Sequence, residues 1–102
     1  MTRQSLENQI KSLRNIKTNF ENLLLNVFGI KSISTNTTIE IIRARKPKGK
    51  FLEFRKDGGF TAVDNSDGDA WTEDFETIEE AFRYLQGEDL DDIQQNKNYK
   101  GD

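Results

Sequence analysis

The sequence predicts an α+β fold: a four-stranded antiparallel meander flanked by a long N-terminal helix and a shorter C-terminal helix. Apolar residues recur at helical spacing near the start, β-branched and aromatic runs separated by turn residues follow, and a second helical pattern closes the order α-β-β-β-β-α. The chain has 102 residues, of which 26 are Leu, Ile, Val or Phe, enough for one modest core. We expect a single domain over residues 1–88 and a flexible acidic and polar tail over residues 89–102.

The first helix is predicted from about residue 5 to residue 28. Its apolar positions recur every seven residues, at Leu6, Leu13, Phe20 and Val27. Gly29 then supplies the left-handed conformation in which helices often end. We expect the apolar face to pack over the sheet. A dimer seam is the alternative, and Lys17 on the same face argues against it.

Four strands are predicted between the helices, after a polar linker with the sequence KSISTN. They are TTIEIIRAR at residues 37–45, KFLEFRK at 50–56, FTAVDN at 60–65 and AWTEDF at 70–75. The segments KPKG, DGG and SDGD contain the Gly, Pro, Asp and Ser residues that favour turns between strands. Because Trp71 and Phe75 fall on one side of the last strand, we expect Trp71 in the core.

The second helix is predicted in the segment ETIEEAFRYLQGE. Thr77 with Glu80 three residues later matches a capping box, in which the two side chains satisfy backbone N–H groups of the first turn. Apolar residues at i, i+3, i+4 and i+7 follow, and Gly87 ends the helix.

The composition removes several function classes. The chain has no cysteine and no histidine, so disulfides, thiolate nucleophiles, the usual zinc sites and histidine-based triads are excluded. We expect a protein that is not an enzyme and has no cofactor. The N-terminus lacks the apolar stretch of a signal peptide, which predicts a cytoplasmic protein.

Charge is distributed unequally along the chain. Residues 1–56 hold twelve Lys and Arg against four Asp and Glu, whereas residues 57–102 hold three against fourteen. Such asymmetry between two halves indicates a charged partner.

The acidic segment VDNSDGDAWTED at residues 63–74 invites three interpretations besides a partner surface. A calcium loop of the D-x-[DN]-x-[DN]-G type fails, because Gly68 at the sixth position puts Val63 at the first, and no metal site is predicted. Catalysis needs a carboxylate with a raised pKa, and a solvated turn does not supply one. A tight turn accounts for the Asn, Ser, Asp and Gly residues.

Acidity continues beyond that turn into the next strand and helix, which indicates either a solvated charged face or an anionic surface for a basic partner. The candidate partner-binding residues are Asp64, Asp67, Asp69, Glu73, Asp74, Glu76, Glu79 and Glu80. If exposed, Trp71 or Tyr84 would be an aromatic anchor.

A basic hairpin gives the alternative, a small nucleic-acid-binding regulator. Its candidate residues are Arg43, Arg45, Lys46, Lys48, Lys50, Arg55 and Lys56, with Phe51 and Phe54 as possible stacking partners. A further alternative is a metal-dependent nuclease that acts on guide RNA through the acidic residues.

The unit GFTAVDNSDGDAWTEDFETIEEAFRYLQGE, residues 59–88, resembles units in small open reading frames of phages and plasmids of Gram-positive bacteria. Among these, the chain resembles the type II-A anti-CRISPR proteins. The resemblance covers about a third of the chain, and it supplies no site residues because those proteins share no common motif. It implies a nucleic-acid mimic in a bacterial host cell that binds an RNA-guided DNA endonuclease, a type II CRISPR effector. Such a protein would block guide RNA loading or target DNA binding.

Overall fold

The computed structural model describes the backbone of residues 3–99 and the side chains of residues 3–94. Four helices and four strands are present in this part of the chain. In chain order they are α1 (Arg3–Phe28), β1 (Ile30–Ile33), α2 (Thr35–Ala44), β2 (Lys50–Phe54), β3 (Phe60–Asp64), β4 (Trp71–Phe75), α3 (Ile78–Leu85) and α4 (Leu90–Tyr99). The α+β class and the four-stranded sheet flanked by helices are confirmed.

The sheet is mixed, and the prediction of a purely antiparallel sheet was wrong. Strand order is β1-β2-β3-β4, with β2, β3 and β4 forming the antiparallel meander and β1 lying parallel to β2. Two parallel neighbours need a crossover connection, and α2 provides it. Strand β4 is therefore one edge of the sheet and β1 is the other.

The segment at residues 37–45 is helical, although it was predicted to be the first strand. The Ser34 hydroxyl accepts the backbone N–H of Thr37, which caps α2, and Arg45 ends the helix in the left-handed conformation at φ 56°. Residues 31–33 of the predicted linker belong to strand β1, which begins at the fully buried Ile30. β-branched residues favour strands only weakly, so the cap and the crossover decide the conformation.

The larger core lies on one face of the sheet. Leu52 and Ala62 of the central strands pack there against Leu85 of α3 and Leu24 of α1. Helix α3 begins as predicted: the Thr77 hydroxyl accepts the Glu80 N–H at 3.2 Å and also bonds the Glu80 carboxylate at 2.8 Å. This capping box places the first turn of α3 directly after β4.

Ile93 of α4 also enters the larger core, where it is only 1% exposed. The sequence assigned this residue to a tail that starts at residue 89, but residues 90–99 form α4. Burying one large apolar side chain is worth roughly 1.5–3 kcal/mol, so Ile93 contributes to holding α4 against the domain.

A smaller core lies on the opposite face, under α2. Ile41 packs there on Phe51 and Val63 of the two central strands. Both faces of the sheet are therefore covered near the β2–β3 pair, and this explains why three consecutive residues in each of these two strands are buried.

Helix α1 is confirmed, but its expected packing over the sheet is limited to the C-terminal end. Leu24 is buried. Phe20 packs on the core, and the centroid of its ring lies 6.3 Å from the ring centroid of Phe54. Every residue from 3 to 19 is exposed.

Candidate partner-binding surface

The loop between β3 and β4 is held by Asn65, which is fully buried. Its side-chain amide donates to the Pro47 carbonyl at 2.8 Å, and its side-chain oxygen accepts the Ala70 N–H at 3.0 Å. The backbone N–H of Asn65 also donates to the Gly49 carbonyl at 2.7 Å. These bonds join the β3–β4 loop to the α2–β2 loop. Asn65 therefore positions both loops, whereas the sequence predicted it only as part of a turn.

The aspartates of this loop shape its backbone, as the turn interpretation predicted. Asp64 accepts the Ser66 N–H at 3.0 Å and Asp67 accepts the Asp69 N–H at 2.9 Å. Gly68, between Asp67 and Asp69, has φ 88°, a left-handed conformation that a residue with a Cβ rarely adopts. The two carboxylates thus build two successive Asx-turns.

Trp71 is exposed, and its expected place in the core was wrong. The side chain is 59% exposed, and its indole N–H donates to the Asp67 carboxylate at 3.2 Å. Ala70, just before β4, has a positive φ, and Trp71 is the first residue of the strand, opposite Asp64 in the β3–β4 register. The Asp69 N–H, the Trp71 indole and the nearby Lys48 together lower the pKa of Asp67.

Basic residues from the first half of the chain lie beside the loop aspartates. Arg45 forms an ion pair with Asp69 at 3.7 Å, and Lys50 stands opposite Asp64 in the β2–β3 register. The charge asymmetry of the sequence is therefore largely neutralised at this end of the sheet. Such exposed pairs contribute about 0–1 kcal/mol each to stability, so their main effect is on the local potential.

The predicted basic hairpin does not exist, because its first arm is α2. Arg43 and Arg45 lie at the end of α2, Lys46 and Lys48 lie in the α2–β2 loop, and Lys50 begins β2. Arg55 and Lys56 follow the far end of β2, about 16 Å away for five residues at strand rise. The seven basic residues form two groups rather than one patch.

A cleft opens at this far end, between the β2–β3 turn, the end of β4 and helices α3 and α4. It has a volume of about 770 Å³. Its lining includes Arg55, Asp57, Asp74, Phe75, Glu76 and Glu80. Four carboxylates thus face one guanidinium, and we call this group the acidic cleft.

Arg55 is the structural cation of the acidic cleft. It forms ion pairs with Asp57 at 2.7 Å and with Asp74 at 3.1 Å. Asp74 also accepts the Thr61 hydroxyl at 2.7 Å, which fixes that carboxylate on the sheet. The sequence predicted Asp57 only as a turn residue. Its carboxylate accepts the Gly59 N–H at 2.9 Å, and this turn bond explains the sequence pattern without indicating that Asp57 also lines the cleft.

The eight predicted acidic residues are thus divided among four places. Asp64, Asp67 and Asp69 shape the β3–β4 loop, and Asp74, Glu76 and Glu80 line the acidic cleft. Glu73 lies on the opposite face of β4 from Asp74. Burial of Tyr84 and the charges of Glu73 and Asp64 raise the pKa of the Tyr84 phenol. Glu79 is exposed in the first turn of α3.

Within residues 3–99 no three acidic side chains converge in a way that could hold a metal ion. None of the helices in this range is both long and apolar enough to span a membrane. No family model matches the chain, and neither a curated protein nor a solved structure is significantly similar to it.

Proposed function

We propose that this chain is a non-enzymatic binding protein that captures cationic side chains of a basic partner in the acidic cleft. The observation that carries this proposal is the ratio of charges among the described residues of the cleft, four carboxylates against the one guanidinium of Arg55. Glu76 and Glu80 follow β4 closely in sequence, so the edge of the sheet and the first turn of α3 present them together.

Complementary charge gives such a complex fast association and sensitivity to salt. An arginine of the partner is the best ligand for the cleft, because its planar guanidinium bonds a carboxylate through two parallel hydrogen bonds. Trp71, exposed at the opposite end of β4, is the candidate for a second contact along the same edge.

The partner we propose is an RNA-guided DNA endonuclease of the type II-A class in the cytoplasm of a bacterial host. This part of the proposal comes from the resemblance of residues 59–88 to anti-CRISPR proteins. Endonucleases of this kind hold guide RNA and target DNA in basic channels, and an acidic protein in such a channel would block guide loading or target binding.

The direct test measures binding of the protein to a purified type II-A endonuclease, with and without guide RNA, at low and high salt. The test variant is Glu76→Gln/Glu80→Gln, which removes two charges from the cleft; glutamine at position 80 preserves the capping box. The matched control is Glu21→Gln/Glu40→Gln, the same change on α1 and α2 outside the cleft lining.

We expect the test variant to bind at least tenfold more weakly and the control to bind like the original protein. Binding of the guide-free form alone would identify guide loading as the blocked step. No binding to either form rejects the endonuclease as the partner, and equal losses in both variants reject the cleft as the binding surface.

The nucleic-acid-binding regulator and the guide-RNA nuclease are the alternatives. The division of the basic residues into two groups, one of them beside the loop aspartates, gives the regulator less support. A salt-dependent mobility shift of labelled RNA or DNA with the purified protein alone would favour the regulator. Shortening of guide RNA in the presence of Mg²⁺ would favour the nuclease.

A further inference from the structure

The first part of α1 carries an apolar stripe that its own domain leaves uncovered. Leu6, Ile10, Leu13 and Ile16 are 50%, 41%, 67% and 64% exposed. At 100° per residue they lie on the same side of the helix as Phe20 and Leu24, which pack on the core. The stripe therefore continues from the domain into solvent over residues 3–19.

This overhanging segment has little reason to be helical without a packing partner. Residues 3–19 contain no alanine and six Ser, Thr or Asn residues, which are weak helix formers. Isolated helices of about this length are marginal in water even when rich in alanine. The overhang also accounts for a radius of gyration of 15.9 Å, against about 13 Å for a compact chain of this length.

We propose that the overhang pairs with the same segment of a second copy of this chain, in antiparallel orientation. In a heptad register, the d positions of the overhang are Leu6, Leu13 and Phe20, and the a positions are Arg3, Ile10 and Lys17. With the midpoint between residues 11 and 12, Ile10 of each copy packs on Leu13 of the other. The overlap then runs from Arg3 to Phe20 and ends where each helix meets its own domain.

Charges beside the seam select this arrangement. Glu7 and Arg14 occupy e positions, and e positions face each other across an antiparallel pair. Glu7 of each copy therefore meets Arg14 of the other, twice by symmetry. In a parallel pair, e positions would face the uncharged g residues Gln9 and Ile16 instead.

Lys17 fits the antiparallel seam despite its charge. It stands opposite Leu6 of the second copy, where its methylene stem covers the leucine while its ammonium group reaches solvent. Arg3 is a second charged residue at an a position, and it stands opposite Phe20 at the end of the overlap. Polar residues at a positions lower the stability of a helix pair and fix its register. The inference rests on α1 alone and does not depend on the acidic cleft.

The first experiment is sedimentation velocity on the full chain over a concentration series, with far-ultraviolet circular dichroism on the same samples. We expect the mass to rise from the 11.8 kDa of one chain to twice that value. Helical signal should increase over the same range, because pairing stabilises the overhang. A mass of one chain at every concentration overturns the proposal.

Charge exchange tests the register. Arg14→Glu puts two like-charged pairs in the seam and should raise the dissociation constant about tenfold, and Glu7→Arg should do the same. The double variant Glu7→Arg/Arg14→Glu should restore affinity. Within one helix Arg14→Glu adds favourable neighbours at Lys11 and Lys17, so its weaker pairing cannot come from a less stable helix.

The control for charge is Lys11→Glu, the same change on the opposite side of α1, which should leave the dissociation constant within about twofold. Equal effects of Lys11→Glu and Arg14→Glu, or no recovery in the double variant, reject the antiparallel seam.

Removal of apolar contact gives an independent readout. Leu13→Gln should abolish the dimer and, at a protein concentration at which the original chain is a monomer, leave the urea midpoint of the sheet domain unchanged, since Leu13 is exposed in the single chain. Leu25→Gln is the matched control, because Leu25 is 48% exposed on another side of the same helix. A dimer that survives Leu13→Gln contradicts the seam.

Discussion

The side-chain amide of Asn65 donates to the carbonyl of Pro47 at 2.8 Å, and this bond joins the acidic loop to the basic loop. Residues from the acidic and basic halves of the sequence are therefore neighbours, as the ion pair between Arg45 and Asp69 shows. The potential of this end of the sheet is set by the fold rather than by the local sequence. Four predictions follow from contacts of this kind.

Asn65→Ala should lower the free energy of unfolding by about 2–4 kcal/mol, because it leaves the Pro47 carbonyl and the Ala70 N–H without their buried partner. Urea denaturation at one fixed protein concentration measures this. Ser66→Ala in the same loop should change stability by less than about 0.5 kcal/mol. Similar losses for the two variants would contradict the clamping role of Asn65.

Thr35→Val should destabilise the protein by about 1.5–3 kcal/mol. The Thr35 hydroxyl at the start of α2 donates to the carboxylate of Glu53, a buried residue of β2, and hydrogen bonds to charged groups are the stronger kind. Thr35→Ser keeps the hydroxyl and should lose little. The double variant Thr35→Val/Glu53→Leu should recover part of the loss, since it also removes the buried charge. Thr35→Val without effect on urea denaturation rejects this role.

The fluorescence of Trp71, the one tryptophan of the chain, should report the protonation of Asp67. The pKa of Asp67 is lowered from its ordinary 3.8, so above pH 3.8 the carboxylate is charged and accepts the indole N–H of Trp71. Any stabilisation that it supplies is lost as the pH falls through the lower, folded-state pKa. We expect an emission change below pH 3.8 that is absent in Asp67→Asn. A transition above that pH in the original protein would contradict the assignment.

Tyr84 should lose its proton at a higher pH than an ordinary tyrosine at 10.0, because burial and the charges of Glu73 and Asp64 disfavour the phenolate. Absorbance titration measures this, and Tyr84→Phe identifies which part of the signal belongs to Tyr84. Glu73→Gln should move the transition toward lower pH, whereas Glu40→Gln on α2 should not. An unchanged titration in Glu73→Gln would mean that Glu73 is too distant to act on Tyr84.

The acidic cleft illustrates how much of a site the sequence can predict. Asp74, Glu76 and Glu80 were chosen because acidity extends beyond the turn, and the cleft includes all three. Asp57 and Arg55 complete it from the β2–β3 turn, and their place depends on strand register, which local composition does not encode. Asp64 and Asp67 carry the same signal but serve the loop backbone.

Elements whose signals are local were predicted correctly. The seven-residue repeat determined α1, the Thr77 and Glu80 box determined the start of α3, and turn residues separated β2, β3 and β4. Each of these signals operates within a few residues, so the sequence alone is sufficient to identify it.

Tertiary structure alone decided β1 and the exposure of Trp71, and together with the Ser34 cap it decided α2. The segment of α2 is rich in β-branched residues and could have been a strand, but β1 pairs parallel with β2 and requires a crossover between them. Strand pairing and the hydrogen bonds of Asn65 likewise decided which charged residues lie close together. Long-range contacts outweigh local preference here because a conformational propensity is worth less than 1 kcal/mol per residue, whereas burial of one large apolar side chain is worth about 1.5–3 kcal/mol.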